Sequence, residues 1–196
     1  MTGPLIYYVR HGQTDWNAEL RWQGRIDIPL NETGRNQAQE YGRLLARLKL
    51  DLSLFTFISS PLSRSCETLE IIRKELNLPP NEYETDDRLI EINYGDLEGT
   101  TQSDFKASNR EMYYYRKANQ WTFKPENGEN HEDVLKRVIE WHSDLDRDGQ
   151  YIVAAHGAVG RVVRHHLAGI PRDELSKMAF PQDKVFKFID GREEVI

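Results

Sequence analysis

The stretch LIYYVRHGQTDWN, residues 5–17, decides the fold class of this chain. Its first five residues are apolar and predict a buried strand. Polar residues follow at once, in the order Arg10, His11 and Gly12. A cation and an imidazole at the end of a buried strand are costly unless they are paired or used. Because open α/β sheets bind ligands at the carboxyl ends of their strands, this strand end is a candidate ligand site.

The same pattern recurs far downstream. Residues 151–155 form another short apolar run, and it ends in His156 and Gly157. Two strand–His–Gly segments in one chain indicate a site built on two imidazoles and at least one guanidinium.

Strand-like runs alternate with helical patterns along the chain, which predicts an α/β fold. Strands are predicted at residues 5–9, 55–59, 151–155 and 185–189. The third run lacks polar alternation, as expected for a strand buried on both faces of a parallel sheet. Asp190-Gly191 predicts a hairpin turn after the fourth run. We expect one domain over residues 1–196, a three-layer sandwich whose mostly parallel central sheet is flanked by helices.

Helix starts are predicted from capping residues. Thr33 is expected to cap the first long helix. Ser60 followed by Pro61 is typical of an N-cap and a first helical residue. Asn130 and Asp133 resemble a capping box before a later amphipathic run.

Residues 98–130 are polar and weakly periodic, yet rich in aromatic side chains. They form either an ordinary surface helix and loop or a small cap insertion beside the site, since long insertions in compact folds are often functional. If the segment covers the site, Tyr113, Tyr115 and Trp121 would influence substrate choice. Basic residues that could reach a substrate are Arg21, Arg25, Arg110, Arg116 and Lys117.

Composition narrows the possible partners. The chain has 196 residues, of which 38% are hydrophobic and 30% charged, and a formal net charge of −6. This net charge gives no global attraction for nucleic acid or anionic lipid, so we expect neither as a partner. The single cysteine, Cys66, excludes an intrachain disulfide and a paired-cysteine zinc motif. No apolar run approaches the ~18 residues of a membrane helix. The first strand leaves no room for a signal peptide, and we expect a cytoplasmic protein.

The polar residues at the predicted strand ends together predict a phosphoryl-binding pocket. The strand at 55–59 is followed by Ser60-Pro61, and Arg64 comes in the first turn of the next helix. Arginine presents a fixed fork that matches phosphate oxygens, and helix N-termini also favour anions. Two such arginines, Arg10 and Arg64, beside two histidines would hold a phosphoryl group without a metal or other cofactor.

The ordered motifs resemble the histidine phosphatase superfamily, which includes the phosphoglycerate mutases. The RHG signature at residues 10–12 continues as Gln13-Thr14-x-x-Asn17. Further blocks follow in the family's order, and together they cover nearly the whole chain. They are Gly24, Pro29-Leu30, the run from Thr33 to Ala38, Ser59-Ser60-Pro61 with Arg64, residues 89–99 around Glu91, and His156-Gly157.

The resemblance implies a role for each matching residue. His11 would be the nucleophile, because a neutral imidazole nitrogen can attack phosphorus and split one hard displacement into two easier ones. Arg10, Arg64 and His156 would hold the phosphoryl oxygens and neutralise developing charge. The substrate-binding residues would also include Asn17, Gln23, Gly24 and Gly157. The remaining histidines, His131, His142, His165 and His166, are expected on the surface or on a polar helix face.

Glu91 would donate a proton to the leaving oxygen and later accept one from water. Such an acid must hold a proton near neutral pH, so burial or a nearby phosphate must favour its protonated form. Rival carboxylates lie close in sequence, and only the resemblance selects Glu91. The rivals are Asp86, Asp87, Asp96 and Glu98.

The resemblance favours the phosphatase branch, since classical mutases carry a longer insertion between the glutamate and the second histidine than this chain has between Glu91 and His156. The segment Gly128-Glu129-Asn130 is similar to a Gly-Glu-Ser block of the phosphatases, with Asn in place of Ser. We expect hydrolysis of a small phosphorylated metabolite through a phosphohistidine. A cofactor-dependent phosphoglycerate mutase and a non-catalytic phosphate-binding domain are the alternatives. The substrate and the formation of a homo-oligomer stay open.

Overall fold

A central six-stranded sheet organises the computed structural model, which describes residues 3–175, 177–178 and 180–196. The strands are β1 (Leu5–Arg10), β2 (Phe55–Ser59), β3 (Glu84–Thr85), β4 (Gln150–Ala155), β5 (Val185–Ile189) and β6 (Arg192–Val195). Their order across the sheet is β3-β2-β4-β1-β5-β6. The four predicted strands are confirmed to within one residue at each end. Strand β3 is too short to leave a pattern in the sequence.

The sheet is parallel where the predicted site lies and antiparallel at one edge. Strands β1 and β2 both pair in parallel with β4, which lies between them. Strand β5 pairs antiparallel with β1 and with β6. Asp190 and Gly191 connect β5 to β6, and both have positive φ (50° and 72°), as a two-residue hairpin turn requires. The mostly parallel sheet and the hairpin are therefore confirmed.

Eight helices connect and cover these strands within the described residues. They are α1 (Asp15–Ala18), α2 (Glu32–Arg47), α3 (Ser63–Glu75), α4 (Gln102–Ser108), α5 (Arg110–Ala118), α6 (His131–Ser143), α7 (Gly157–Ala168) and α8 (Arg172–Leu175). Strand residues alternate between two apolar cores. Tyr7 and Val9 of β1 pack with Tyr41 of α2 on one face. Ile6 and Tyr8 pack in the opposite core, with α6 and α7. The predicted three-layer α/β sandwich is confirmed.

Two predicted helix starts are wrong, and one is confirmed. Helix α2 is capped by Asn31, whose side chain accepts from the Gly34 N–H at 2.9 Å, so Thr33 is already inside the helix. Helix α3 begins at Ser63 after Leu62, and the closest contact of the Ser60 hydroxyl is with the buried His156 ring at 2.6 Å, whereas its bond from the Leu62 N–H is long at 3.4 Å. The capping box of α6, from Asn130 to Asp133, is present as predicted.

No helix within the described ranges combines the length and the apolar character that crossing a membrane would require.

Candidate active site

The carboxyl ends of β1, β2 and β4 bring the predicted site residues together. Arg10 of β1 is in register with Ala155 of β4, and Ser59 of β2 with Ala154. The residue after each strand therefore emerges at the same edge of the sheet. The backbone N–H groups of His11 and Ser60 donate to carbonyls of β4 at 2.8 and 3.0 Å, which extends the sheet by one residue at this point.

His11 is buried and has one defined ring tautomer when neutral. Its Nδ1 lies 2.7 Å from the carbonyl oxygen of Gly12. A carbonyl only accepts, so Nδ1 carries the hydrogen and Nε2 keeps a free lone pair. Burial lowers the pKa of His11 well below its usual range, and the nearby guanidinium groups of Arg64 and Arg10 lower it further. The ring is therefore a neutral base at neutral pH, as a nitrogen nucleophile must be.

His156 lies beside His11 and is fully buried. The two ring centroids are 5.1 Å apart and the ring planes meet at 60°. The His156 Nε2 atom is hydrogen-bonded to the Ser60 hydroxyl at 2.6 Å. Burial, followed by the charges of Arg64 and His11, lowers the pKa of His156 well below its usual range. Tyr8 fixes the backbone at this position, because its hydroxyl donates to the His156 carbonyl and accepts from the His156 N–H.

Arg64 and Arg10 supply positive charge from two sides. The Arg64 side chain has no exposed surface and donates to the carbonyls of Gly24 and Ile26 at 2.7 and 2.9 Å. Arg10 donates to the Phe180 carbonyl at 2.9 Å. Burial lowers the pKa of both guanidinium groups, although Glu91 counteracts this. The Nε atoms of Arg10 and Arg64 and the Nδ1 atom of His156 are buried and have no hydrogen-bond partner among the described residues.

Two glycines allow the loops around these side chains to approach closely. A Cβ on Gly12 would lie 2.2 Å from the carbonyl oxygen of Gly34 in α2. Gly24 has φ +55°, and a Cβ there would meet the Glu98 carboxylate at 1.8 Å. A side chain at either position would displace the loop that carries His11 or the carbonyl that holds Arg64.

Glu91 is a buried carboxylate at the N-terminus of α7. One oxygen accepts from the N–H groups of Gly157 (3.1 Å) and Ala158 (3.3 Å). The other accepts from Ile92 (3.0 Å) and Val159 (3.4 Å). Helix N-termini stabilise negative charge, so these four donors fix the carboxylate and help to offset the cost of burying it. Glu91 faces the same cavity as His11, Arg10 and Arg64.

The rival carboxylates do not line this cavity. Glu98 accepts from the backbone N–H groups of Arg25 and Tyr94 and so links two loops. Asp86 is paired with Arg88, and the Asp96 carboxylate accepts from the Asn127 side chain. The structure therefore brings Glu91, and none of the alternatives, next to the two histidines.

Asn17 has its amide oriented by two donors. Its Oδ1 accepts from the Thr14 N–H at 3.3 Å and from Gln182 Nε2 at 3.1 Å. Gln182 also donates to the His11 carbonyl at 2.9 Å, so one side chain connects the loop after β1 with the segment before β5. With Oδ1 used twice, Asn17 presents its Nδ2 hydrogens as donors for an anion. Gln23 also lines the cavity and donates to the Thr14 hydroxyl.

These residues enclose an inner cavity of about 170 Å³. Of the nine residues predicted for the site, eight line it, and the ninth, His156, lies beside His11 with the ring centroids 5.1 Å apart. The nine are Arg10, His11, Asn17, Gln23, Gly24, Arg64, Glu91, His156 and Gly157.

Sequence and structure comparisons agree with this geometry. The chain matches the histidine phosphatase superfamily (branch 1) over residues 6–189. It is 45% identical to an uncharacterized phosphatase, PhoE, of Bacillus subtilis over 94 residues, and this aligned region covers 48% of this chain and 45% of that protein. It is 30% identical to a 2,3-bisphosphoglycerate-dependent phosphoglycerate mutase of Cytophaga hutchinsonii, over 88% of this chain and 81% of that one.

The chain belongs to the histidine phosphatase superfamily. Its fold is shared with a mycobacterial glucosyl-3-phosphoglycerate phosphatase solved in complex with VO3, at a TM-score of 0.80 and 24% identity over 98% of this chain and 96% of that one. The predicted family is thus confirmed, and the chain is an enzyme of the phosphoglycerate mutase family.

This superfamily member has further cavity residues that the motifs do not predict. Trp22, Tyr94, Ala158 and Arg161 line the inner cavity. Arg21, one of the basic residues named from the sequence as able to reach a substrate, lines it too. A helical signal could have found Arg161, because it follows Gly157 by four residues and therefore lies on the same face of α7. Gln182 left no such signal, since it acts on a residue 171 positions away.

An outer cavity of about 370 Å³ adjoins the inner one and shares Trp22, Tyr94 and Arg161 with it. Its wall includes Tyr113 and Trp121 from the segment 98–130. Of the three aromatic residues singled out there, these two lie beside the cavity. The third, Tyr115, is 56% exposed and packs against Phe123.

The expectation that His131 is an ordinary surface residue is wrong. Its ring stacks on Trp121 with centroids 5.1 Å apart and lines the outer cavity. Burial lowers the pKa of His131 to about 4, and the charges of Arg161 and Arg116 contribute. His142 is also engaged, since its Nδ1 lies 3.1 Å from Nε2 of His166.

Proposed function

We propose that this enzyme is a metal-independent phosphomonoester hydrolase that works through a phosphohistidine at His11. The observation that carries the proposal is the set of three buried, unpartnered nitrogens around the neutral His11 ring among the described residues. They are Arg10 Nε, Arg64 Nε and His156 Nδ1. Buried polar atoms normally have partners, and a bound phosphoryl group would provide acceptors for all three.

The first step transfers the phosphoryl group to the enzyme. The Nε2 lone pair of His11 attacks phosphorus while the bond from phosphorus to the leaving oxygen breaks. Arg10, Arg64 and His156, with the Asn17 amide, would stabilise charge on the three remaining oxygens, which is most of what phosphoryl transfer requires. Glu91 would give a proton to the departing oxygen.

The second step returns the enzyme to its starting state. Water attacks the phosphohistidine, the bond between phosphorus and Nε2 breaks, and Glu91 accepts the proton that water loses. Inorganic phosphate then leaves. The physiological substrate would be a small phosphorylated metabolite, because the inner cavity of about 170 Å³ has little space beyond a phosphoryl group. We propose the cytoplasm as the place where the enzyme acts.

The test is detection of the intermediate. Wild-type protein quenched with base during turnover should gain one acid-labile phosphoryl group by intact mass, and His11→Ala should gain none and lose turnover. His142→Ala is the matched control, because that histidine lies outside both cavities. A His11→Ala protein with wild-type activity would refute the proposal.

Phosphoglycerate mutase activity is the second candidate. It is supported by the relative of that name, which matches 88% of this chain, and by the basic side chains of the outer cavity. Incubation with 3-phosphoglycerate, with and without 2,3-bisphosphoglycerate, separates the two activities. Release of inorganic phosphate supports the hydrolase, and formation of 2-phosphoglycerate without phosphate release supports the mutase.

A further inference from the structure

The Ser60 hydroxyl occupies a buried polar position directly after β2. Among the described residues it has two contacts: Nε2 of His156 at 2.6 Å and the Leu62 N–H at 3.4 Å. The Leu62 N–H can only donate, so it occupies a lone pair of the hydroxyl oxygen and leaves the hydroxyl hydrogen free. Within this part of the chain, the hydroxyl hydrogen therefore has Nε2 of His156 as its acceptor.

The direction of this bond determines which nitrogen of His156 carries the ring hydrogen. Burial lowers the pKa of His156, so the ring is neutral at neutral pH and has one N–H and one lone pair. When Ser60 donates to Nε2, the lone pair is at Nε2 and the hydrogen is at Nδ1. In the opposite arrangement Nε2 would donate to Ser60, and the buried hydroxyl hydrogen would be left without an acceptor, which is unfavourable.

The two histidines of the site thus keep opposite atoms free. His11 donates from Nδ1 to the Gly12 carbonyl and keeps the lone pair of Nε2. His156 accepts at Nε2 from Ser60 and keeps an N–H at Nδ1, which is buried and has no partner among the described residues. A buried N–H requires an acceptor, and an oxygen of a phosphoryl group would provide one. The reversed tautomer of His156 would offer that oxygen a lone pair, which repels it.

The main chain at Ser60 is held by contacts that do not involve its hydroxyl. The Ser60 N–H donates to the Ala154 carbonyl at 3.0 Å. The Ser60 carbonyl accepts from the Ser59 hydroxyl at 2.8 Å and from the Cys66 thiol at 3.3 Å. The Ser65 hydroxyl also donates to the Ala154 carbonyl, at 2.7 Å. Removal of the Ser60 hydroxyl should therefore leave the loop in place.

We infer that Ser60 is a positioning residue that fixes the tautomer of His156, so that His156 acts as a hydrogen-bond donor to a phosphoryl oxygen. This inference rests on the proposed function, since a phosphoryl group beside His11 would be the acceptor. Ser60 itself is not among the described residues that line the inner cavity, so it acts through His156. One neutral imidazole then supplies a lone pair to phosphorus, and the other supplies an N–H to oxygen.

The tautomer can be measured directly by ¹⁵N NMR of protein with labelled histidine, because protonated and unprotonated ring nitrogens give well-separated signals. In the wild type at neutral pH, the hydrogen of His156 should be on Nδ1. Ser60→Ala should populate the tautomer with the hydrogen on Nε2, because the donor that occupied Nε2 is gone. His156→Ala assigns the signals. A hydrogen on Nε2 in the wild type, or an unchanged tautomer in Ser60→Ala, would overturn the inference.

The functional test asks whether Ser60 acts through His156. Ser60→Ala should lower kcat/KM for 4-nitrophenyl phosphate, and the affinity for the tetrahedral oxyanion tungstate, by about 10-fold each, the scale of one hydrogen bond to a charged group. Ser60→Thr keeps the hydroxyl and should stay within about 3-fold of the wild type. In a His156→Ala background, Ser60→Ala should have less than about 2-fold further effect, because residues that act on one another are not additive.

Ser65→Ala is the matched control, because it removes an equally buried hydroxyl that bonds to Ala154 and Ser59 and does not contact His156. It should leave the tautomer on Nδ1 and change both quantities by less than about 2-fold. Equal losses in Ser65→Ala and Ser60→Ala, or additive losses in the double variant, would overturn the inference. If no ester is hydrolysed but the tautomer and the tungstate affinity still depend on Ser60, the hydrolase proposal fails and the positioning role of Ser60 stands.

Discussion

Replacing Glu91 by Gln separates its chemical role from its structural one. The amide keeps the size of the side chain but cannot give a proton to a leaving oxygen. An alkoxide leaving group needs that proton and a nitrophenolate does not. We therefore expect kcat for glycerol 3-phosphate to fall by about 10²- to 10⁴-fold, the usual contribution of a general acid, and kcat for 4-nitrophenyl phosphate to fall by less than about 10-fold.

The same substitution should also destabilise the protein, by an amount that follows from its hydrogen bonds. Each carboxylate oxygen of Glu91 accepts from two backbone N–H groups. An amide in either orientation turns its NH2 toward one of these pairs and leaves two buried donors unsatisfied. At about 1–3 kcal/mol for each, and with two of the four bonds long, we expect a loss of about 2–4 kcal/mol. Urea denaturation measures this loss.

Glu98→Gln is the matched control. Glu98 uses one oxygen, Oε1, to accept from the N–H groups of Arg25 and Tyr94, so an amide can keep both bonds. Its carboxylate does not line the inner cavity. This variant should slow the alkyl and aryl substrates equally and only slightly. Equal slowing of the two substrates by Glu91→Gln would refute the role of general acid, and a dependence on the leaving group in Glu98→Gln would mean that the acid is Glu98.

Three further outcomes are expected. In a plot of kcat/KM against pH, corrected for ionisation of the substrate, the fall on the acid side should occur well below pH 6.5. The reason is that the lowered pKa of His11 keeps its imidazole neutral and nucleophilic down to that range. A fall above pH 6.5 would contradict the role of His11 as a neutral nucleophile. Activity should survive dialysis against excess EDTA, and a loss of activity that Mg²⁺ titration restores would refute a phosphoryl site built on two arginines and two histidines. Gln182→Ala should lower kcat/KM about 10-fold, because it releases Asn17 and the His11 carbonyl. Gln182→Glu should lower kcat/KM more, because a carboxylate would face two acceptor oxygens. Equal activities in wild type and both variants would show that Gln182 does not position these groups.

The inner cavity could be predicted from sequence because its residues follow strands directly. Arg10, His11 and His156 each stand at the end of an apolar run, and parallel pairing brings such ends to one edge. Arg64 needed one further step, since it lies one turn into the next helix. The choice of Glu91 among five carboxylates rested on the family pattern, because three of its four backbone donors come from α7, more than sixty positions along the chain.

Helix starts were harder to predict because capping side chains have competing partners. Asn31 and Thr33 both have side chains that cap helices well, and local sequence does not rank them. At Ser60 the competing partner belongs to the candidate active site, because the Ser60 hydroxyl lies 2.6 Å from the ring of His156. A rule based on neighbouring residues cannot include a partner 96 positions away. The capping box at Asn130 was predicted correctly because its two partners are local.

Only the part of the outer cavity that the segment 98–130 supplies, including Tyr113, Arg116, Lys117 and Trp121, was anticipated from the sequence. The rest could not be predicted for a related reason, and this bears on how the enzyme divides substrate binding from chemistry. Arg116, His131, Arg161 and Arg172 lie on four different helices, and only their packing brings them together. The chemical groups, by contrast, are held by the sheet edge and the start of α7. Residues far apart and without a shared contact contribute almost independently to free energies. Substitutions in the outer wall can therefore change which phosphoester binds while His11, Arg10 and Glu91 keep their geometry, provided that Arg161, which lines both cavities, stays unchanged.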